Sequence, residues 1–164
     1  MSSITIMFIG LIFVAGWFLG YLFIRQIVFN FKTAYPVLKS MKETDENLIV
    51  YGNAKKYTSV SVATCFFVLA LFTAVVFVLY FKTNFFNLAF LIAYLAGLVV
   101  SYFTVFRQME PDNKKTFESF CAAYYRFIPD DQLRTDMYNL KIPAMKLRCH
   151  DLGISTAWIP SLKN

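Results

Sequence analysis

Three observations predict an all-α fold carried by three transmembrane helices. Three apolar stretches, roughly 4–24, 57–81 and 85–106, contain no Asp, Glu, Lys, Arg or His. Each supplies the ~20 residues that a helix rising ~1.5 Å per residue needs to cross a hydrocarbon core ~30 Å thick. All five prolines (Pro36, Pro111, Pro129, Pro143, Pro160) lie outside these stretches, so nothing in the chain interrupts them. Composition agrees: 58% hydrophobic, 16% charged and a mean hydropathy of +0.53 exceed what an ordinary soluble domain carries. The predicted organisation is a first span over 1–24, a basic loop over 25–56, a helical hairpin over 57–106 and a helical tail over 107–164.

The first span resembles a secretory signal in position only. No Lys or Arg precedes it, its apolar run is too long and no Ala-x-Ala site follows, so it is expected to stay attached. Orientation follows from the basic residues, which accumulate on cytoplasmic flanks. Loop one holds Arg25, Lys32, Lys39, Lys42, Lys55 and Lys56, and the tail holds nine more; the turn Lys82-Thr83-Asn84 has one and the start of the chain none. The expected orientation is therefore N-terminus outside, with loop and tail in the cytoplasm.

Loop one opens with Ile27, Phe31, Tyr35 and Leu38 spaced by three or four residues among basic ones. That spacing suits an amphipathic helix lying on the membrane surface. It suits equally a first span that continues as far as Tyr35, where Pro36 biases the chain away from helix. The polar run "ETDEN" reads as solvated and "VYGNAKK" as a turn before the second span. In the tail, Pro111-Asp112-Asn113 marks a helix start followed by an apolar face of Phe117, Phe120, Cys121, Tyr124 and Phe127. Pro129-Asp130-Asp131 starts a second helix with Leu133, Met137 and Leu140, and a third follows Pro143 and ends before Gly153. Fifty-eight tail residues make a marginal core alone, so these faces are expected against loop one, the membrane surface or a partner.

Within the spans the informative pattern is one of small residues. Gly16 and Gly20 form Gly-x-x-x-Gly in span one, and Ala89, Ala93, Gly97 and Ser101 recur every fourth position in span three. Span two offers Ser59/Ala63 and Ala70/Ala74. Lipid gives helices no hydrophobic push toward one another, so association depends on the close backbone approach that small residues permit. Internal packing is the simplest partner for the strip, and another membrane protein the alternative.

No catalytic signature is present. In "RCHD" the adjacent Cys149 and His150 would point about 100° apart on a helix, against a nucleophile pair. His150, the sole histidine, cannot build a multi-histidine metal site, and Asp130-Asp131 after a proline suit the positive end of a helix. Cys65, Cys121 and Cys149 lack metal-ligand or disulfide spacing and are expected as free thiols. No cofactor or metal is expected. The spans contain none of the ionisable residues that usually mark transport paths, and the mixed charges of loop and tail do not suggest nucleic-acid binding despite a net +6. The partners that remain are the lipid bilayer and another membrane protein, with a homo-oligomer as a further option.

In architecture the chain resembles phage- or plasmid-encoded superinfection-exclusion proteins of the bacterial inner membrane. Its size, three spans, outside N-terminus and basic cytoplasmic loop and tail carry that resemblance, which transfers no functional residue. It implies a non-enzymatic protein that obstructs delivery of an incoming phage's DNA at the inner membrane. An accessory or assembly subunit of a bacterial membrane complex is the alternative with the same physics.

Overall fold

The first helix does not stop where its apolar run stops. In the computed structural model, which describes residues 3–82 and 88–161, helix α1 (Ser3–Phe29) continues through a π-helical segment (Asn30–Ala34) into α2 (Tyr35–Thr44). The Tyr35 N–H donates to the Asn30 carbonyl, five residues back. An α-helical Pro36 would lack a donor for the Lys32 carbonyl and press its ring against it. The widened turn just before Pro36 is one of the few ways a helix passes a proline. Loop one is thus neither a separate surface helix nor an extension ending at Tyr35, and the helical path runs on to Thr44.

Helix α3 (Tyr51–Lys82) begins six residues before the predicted span, so "VYGNAKK" is mostly its first turns and not a connecting turn. Helix α4 spans Leu88–Gln108. Of the predicted hairpin turn, Thr83 and Asn84 lie outside the described residues, as does the predicted start of span three at Phe85. The remaining elements are α5 (Lys114–Tyr124), a 3-10 segment (Tyr125–Phe127), α6 (Asp131–Tyr138) and α7 (Ile142–Asp151). The fold is all-α, and three of its helices are long and apolar enough to cross a membrane.

Two compact units divide these elements, one of residues 1–28 with 61–107 and the other of residues 29–60 with 108–164. The first unit holds the three apolar stretches. Of the most apolar 18 residues in each spanning helix, 39% are buried in α4, 11% in the first helix and none in α3. Helix α4 is therefore the axis of this unit. Its Tyr94 hydroxyl lies 3.2 Å from Thr73 Oγ1 of α3, and Phe23 of α1 meets Phe72 of α3 with ring centroids 6.5 Å apart.

The second unit combines loop one with the tail. Leu38 and Met41 of α2 are buried together with Phe117, Phe120 and Tyr124 of α5, Leu133 and Met137 of α6, Met145 of α7, and Trp158. A tail too small to bury its own faces acquires a core by sharing that of loop one. A polar cluster sits inside it: Tyr124 Oη is 2.8 Å from Thr58 Oγ1 and donates to Asn30 Oδ1 at 3.3 Å. Asn30 and Thr58 are fully buried, so this cluster ties the π segment and α3 to α5. Burial pushes the Tyr124 phenol up to about 12, which keeps it protonated and able to donate.

Helix ends in this unit follow local chemistry. Asn113 caps α5, its side chain accepting from Thr116 N at 3.3 Å, and Asp130 caps α6, accepting from Leu133 N at 2.8 Å. Pro143 stands in the first turn of α7, where no N–H is needed. Gly153, at φ +67°, closes α7 with Gly153 N donating to His150 O and Ile154 N to Cys149 O. Two residues depart from the predicted apolar faces. Phe127 falls in the 3-10 segment and is half-buried, because α5 ends at Tyr124. Leu140 lies beyond α6 at φ 57° and is exposed, since there it serves as the left-handed terminator and not as a core residue.

Asp130 does more than cap. Its two carboxylate oxygens receive Arg148 Nε at 3.1 Å and Nη2 at 2.7 Å, joining the start of α6 to α7. This forked pairing, aided by the Leu133 N–H, holds the Asp130 carboxyl below its ordinary value of 3.8. A depressed carboxyl stabilises the fold above the unfolded-state value, and that contribution is lost as pH falls through the folded-state one. Asp130→Asn should therefore weaken the second unit at neutral pH and remove part of its acid sensitivity below about pH 4. Asp130→Ala should cost about 1 kcal/mol more through the lost cap. Thermal exposure of the buried Cys121 and Cys149 thiols to a labelling reagent at a series of pH values measures both effects.

Candidate functional site

The small-residue strip of α4 faces α1. Ala93, Gly97 and Ser101 are buried and Ala89 is half-buried, while Gly16 and Gly20 of α1 are buried too. A Cβ placed on Gly97 would strike the Phe13 carbonyl oxygen and would lie 2.6 Å from the Trp17 backbone nitrogen. One on Gly16 would lie 2.5 Å from the Tyr94 carbonyl oxygen, and one on Gly20 would strike the Ser101 hydroxyl and come within 3.0 Å of its Cβ. Real Cβ atoms essentially never approach other atoms below 3.0 Å, so Gly16 and Gly97 leave no room for a side chain, whereas at Gly20 the obstacle is the Ser101 hydroxyl, a side-chain atom that can move or be replaced. The neighbours at Gly97 and Gly16 are backbone atoms, which cannot rotate away.

Gly16, Gly20, Gly97 and Ser101 thus meet in one seam where the two backbones touch. Such proximity gives dispersion contacts between main chains, the attraction that remains when lipid is as apolar as the side chains. Ser101 adds no buried polar cost, because its hydroxyl donates to the Leu98 carbonyl at 2.7 Å. Ala93 sits between Phe90, Leu91 and Tyr94, all buried, and Ala89 lies toward the start of α4. The spacing rule overlooked Val105, which continues the fourfold register and is fully buried, because it is not small. It also overlooked Phe13 and Trp17, whose contribution is backbone and leaves no trace in residue type.

The residues considered for chemistry are dispersed. Cys149 is buried, while the His150 side chain is 87% exposed, so the two neighbours diverge. Burial holds the Cys149 thiol above its ordinary value, and desolvation pushes Cys121 up to about 12. Both are poor nucleophiles. Cys65, Cys121 and Cys149 are free thiols. Among the described residues no group of three or more His, Cys, Asp or Glu is arranged to hold a metal ion.

Span two is the least buried of the three apolar helices, though α1 and α4 also expose apolar side chains. Phe66, Phe67, Leu71, Val75, Val78 and Phe81 are each exposed. Ala70 and Ala74, the small pair of this helix, line a shallow apolar groove of about 630 Å³ together with Phe66, Thr73, Phe77 and Leu98. Comparison with protein-family models, curated proteins and solved structures found no match.

Replacing Gly97 with Ile keeps α4 apolar and tests the seam. Overpacking a tight contact costs ~1–3 kcal/mol. Gly97→Ile should accordingly lower the thermal stability of the purified protein and its accumulation in membranes. Val99→Ile, at a position 54% exposed, should change neither. A Gly97→Ile protein as stable as the parent would show that the two backbones do not meet as described.

Proposed function

We propose that this chain is a non-enzymatic interaction protein that docks onto another assembly in the bacterial inner membrane, and that its task is superinfection exclusion by obstructing DNA delivery there. The observation that carries the reading is α3, whose most apolar 18 residues are wholly unburied within the chain. Gly16 and Gly20 of α1 and Gly97 and Ser101 of α4 are spent on each other, whereas Ala70 and Ala74 of α3 remain open in an apolar groove. A neighbouring transmembrane helix approaches closely at such positions.

Charge supports the rest of the proposal. Fifteen of the sixteen Lys and Arg residues lie in loop one or the tail, which favours a cytoplasmic position for both and an outside N-terminus. With loop one and the tail on the cytoplasmic side, the charged sequence gathers there, which places the proposed interference at the membrane itself. An accessory subunit of a resident membrane complex would use the same face of α3, and the choice between the two rests on the identity of the partner.

Expression of the protein alone in a susceptible host should leave phage adsorption unchanged while preventing potassium efflux and DNA arrival for a subset of phages. Ala70→Leu with Ala74→Leu, which fills the groove without touching the seam, should abolish protection at unchanged protein level. A reporter active only in the cytoplasm should work when fused after the last residue, and its failure would overturn the orientation. Unimpaired plating of a broad phage panel, combined with stable co-purification of a resident complex, would replace exclusion by the accessory-subunit reading.

A further inference from the structure

We propose that the cleft between the first turns of α3 and the 3-10 segment binds the phosphate headgroup of one anionic phospholipid. The cleft has a volume of about 490 Å³ and is lined by Asn53, Lys56, Tyr57, Val60, Arg126 and Phe127. Two of these residues are cations and none is an acid. Among the described residues Lys56 and Arg126 take part in no salt bridge, whereas Lys32, Lys39, Arg134 and Arg148 of the same unit each pair with a carboxylate. Two cations without a carboxylate partner thus share one concave surface that no acid lines.

Arg126 is held ready for an anion. Its guanidinium carbon lies 4.4 Å from the centre of the Tyr57 ring and 5.2 Å from that of Phe127. Aromatic faces support the guanidinium and leave its N–H edge free for the forked hydrogen bonding that phosphate oxygens accept. The segment carrying Arg126 is fixed to the residue just before α3 by the Val50 N–H, which donates to the Phe127 carbonyl at 2.9 Å. Asn53 adds a side-chain amide donor to the same rim.

Position selects a lipid over a free phosphate. Lys55 and Lys56 are the last charges in α3 before Lys82, so the cleft stands where the helix passes from charged to uncharged, mainly apolar sequence. Its remaining wall, Tyr57 and Val60, is apolar and exposed. A ligand with phosphate at one end and hydrocarbon at the other satisfies both ends of such a cleft, and basic pockets at helix ends recognise anionic lipid headgroups in this manner. Inorganic phosphate would leave the apolar wall unused.

Native mass spectrometry of the purified full chain, titrated with phosphatidylglycerol or with phosphatidylcholine of the same acyl chains, tests the proposal. The first phosphatidylglycerol should bind with clear preference. Lys56→Gln, a change at an exposed side chain, and Arg126→Gln should each weaken that preference roughly fivefold, and the double variant roughly thirtyfold. Lys146→Gln, the same charge change elsewhere in the unit, should leave it intact. Equal binding of the two lipids would overturn the proposal, as would a preference untouched by Lys56→Gln and Arg126→Gln or lost equally in Lys146→Gln. Displacement of the lipid by inorganic phosphate would assign the cleft to free phosphate instead.

Discussion

Main-chain contact between α1 and α4 is the constraint on which the membrane part of this protein depends. In water an apolar face is driven against its partner, but in lipid both partners are already in hydrocarbon, and only contacts better than those with acyl chains hold helices together. Gly97 against Phe13 and Trp17 and Gly16 against Tyr94 provide them by removing the side-chain atoms that would keep the backbones apart, and Gly20 extends the seam by receiving the small Ser101 side chain. Large side chains then take their places around the seam. Tyr94 points its hydroxyl at Thr73, and Phe23 reaches Phe72, so α3 is attached through side chains and not through its backbone.

That difference in attachment links packing to function. A helix whose apolar stretch is joined to its neighbours by side chains such as Thr73 and Phe72, with none of its most apolar 18 residues fully buried, keeps a broad face for lipid or for another protein. The second unit solves the opposite problem, since it must build a core from short helices. It does so by combining α2 with α5, α6 and α7, by placing Tyr124 where its hydroxyl meets both Thr58 and the Asn30 side-chain oxygen, and by clamping α6 to α7 through Asp130 and Arg148. The proposed exclusion activity and the proposed lipid site use different surfaces, the groove beside Ala70 and Ala74 and the cleft at Arg126.

Much of this was legible in the sequence where a single physical rule governs. Uncharged length marked the three spans, prolines followed by Asp or Asn marked the starts of α5 and α6, and the fourfold spacing of small residues picked out one face of α4. What escaped was structure decided by contacts distant in sequence. Pro36 reads locally as a helix stop, yet the π segment before it lets the helix continue, with Asn30 bonded to Tyr124. Gly52 and Asn53 read as a turn, yet they belong to the first turn of α3, beside Val50, which is bonded to Phe127. The strip's partner could not be read from residue type, because Phe13 and Trp17 contribute backbone atoms, and Arg148 as the partner of Asp130 lies 18 residues away.

Cross-linking in native membranes examines the seam most directly. Gly20→Cys combined with Ser101→Cys, in a chain whose Cys65, Cys121 and Cys149 are replaced by Ala, puts two thiols at positions whose Cβ atoms nearly touch. Mild oxidation should form an intramolecular disulfide, seen as a mobility shift of the monomer on a denaturing gel that a reductant reverses. Gly20→Cys with Val99→Cys, whose second site is exposed on α4, should not form one. Absence of the intramolecular bond in the first pair, or its appearance only between two chains, would contradict an α1–α4 seam within a single molecule.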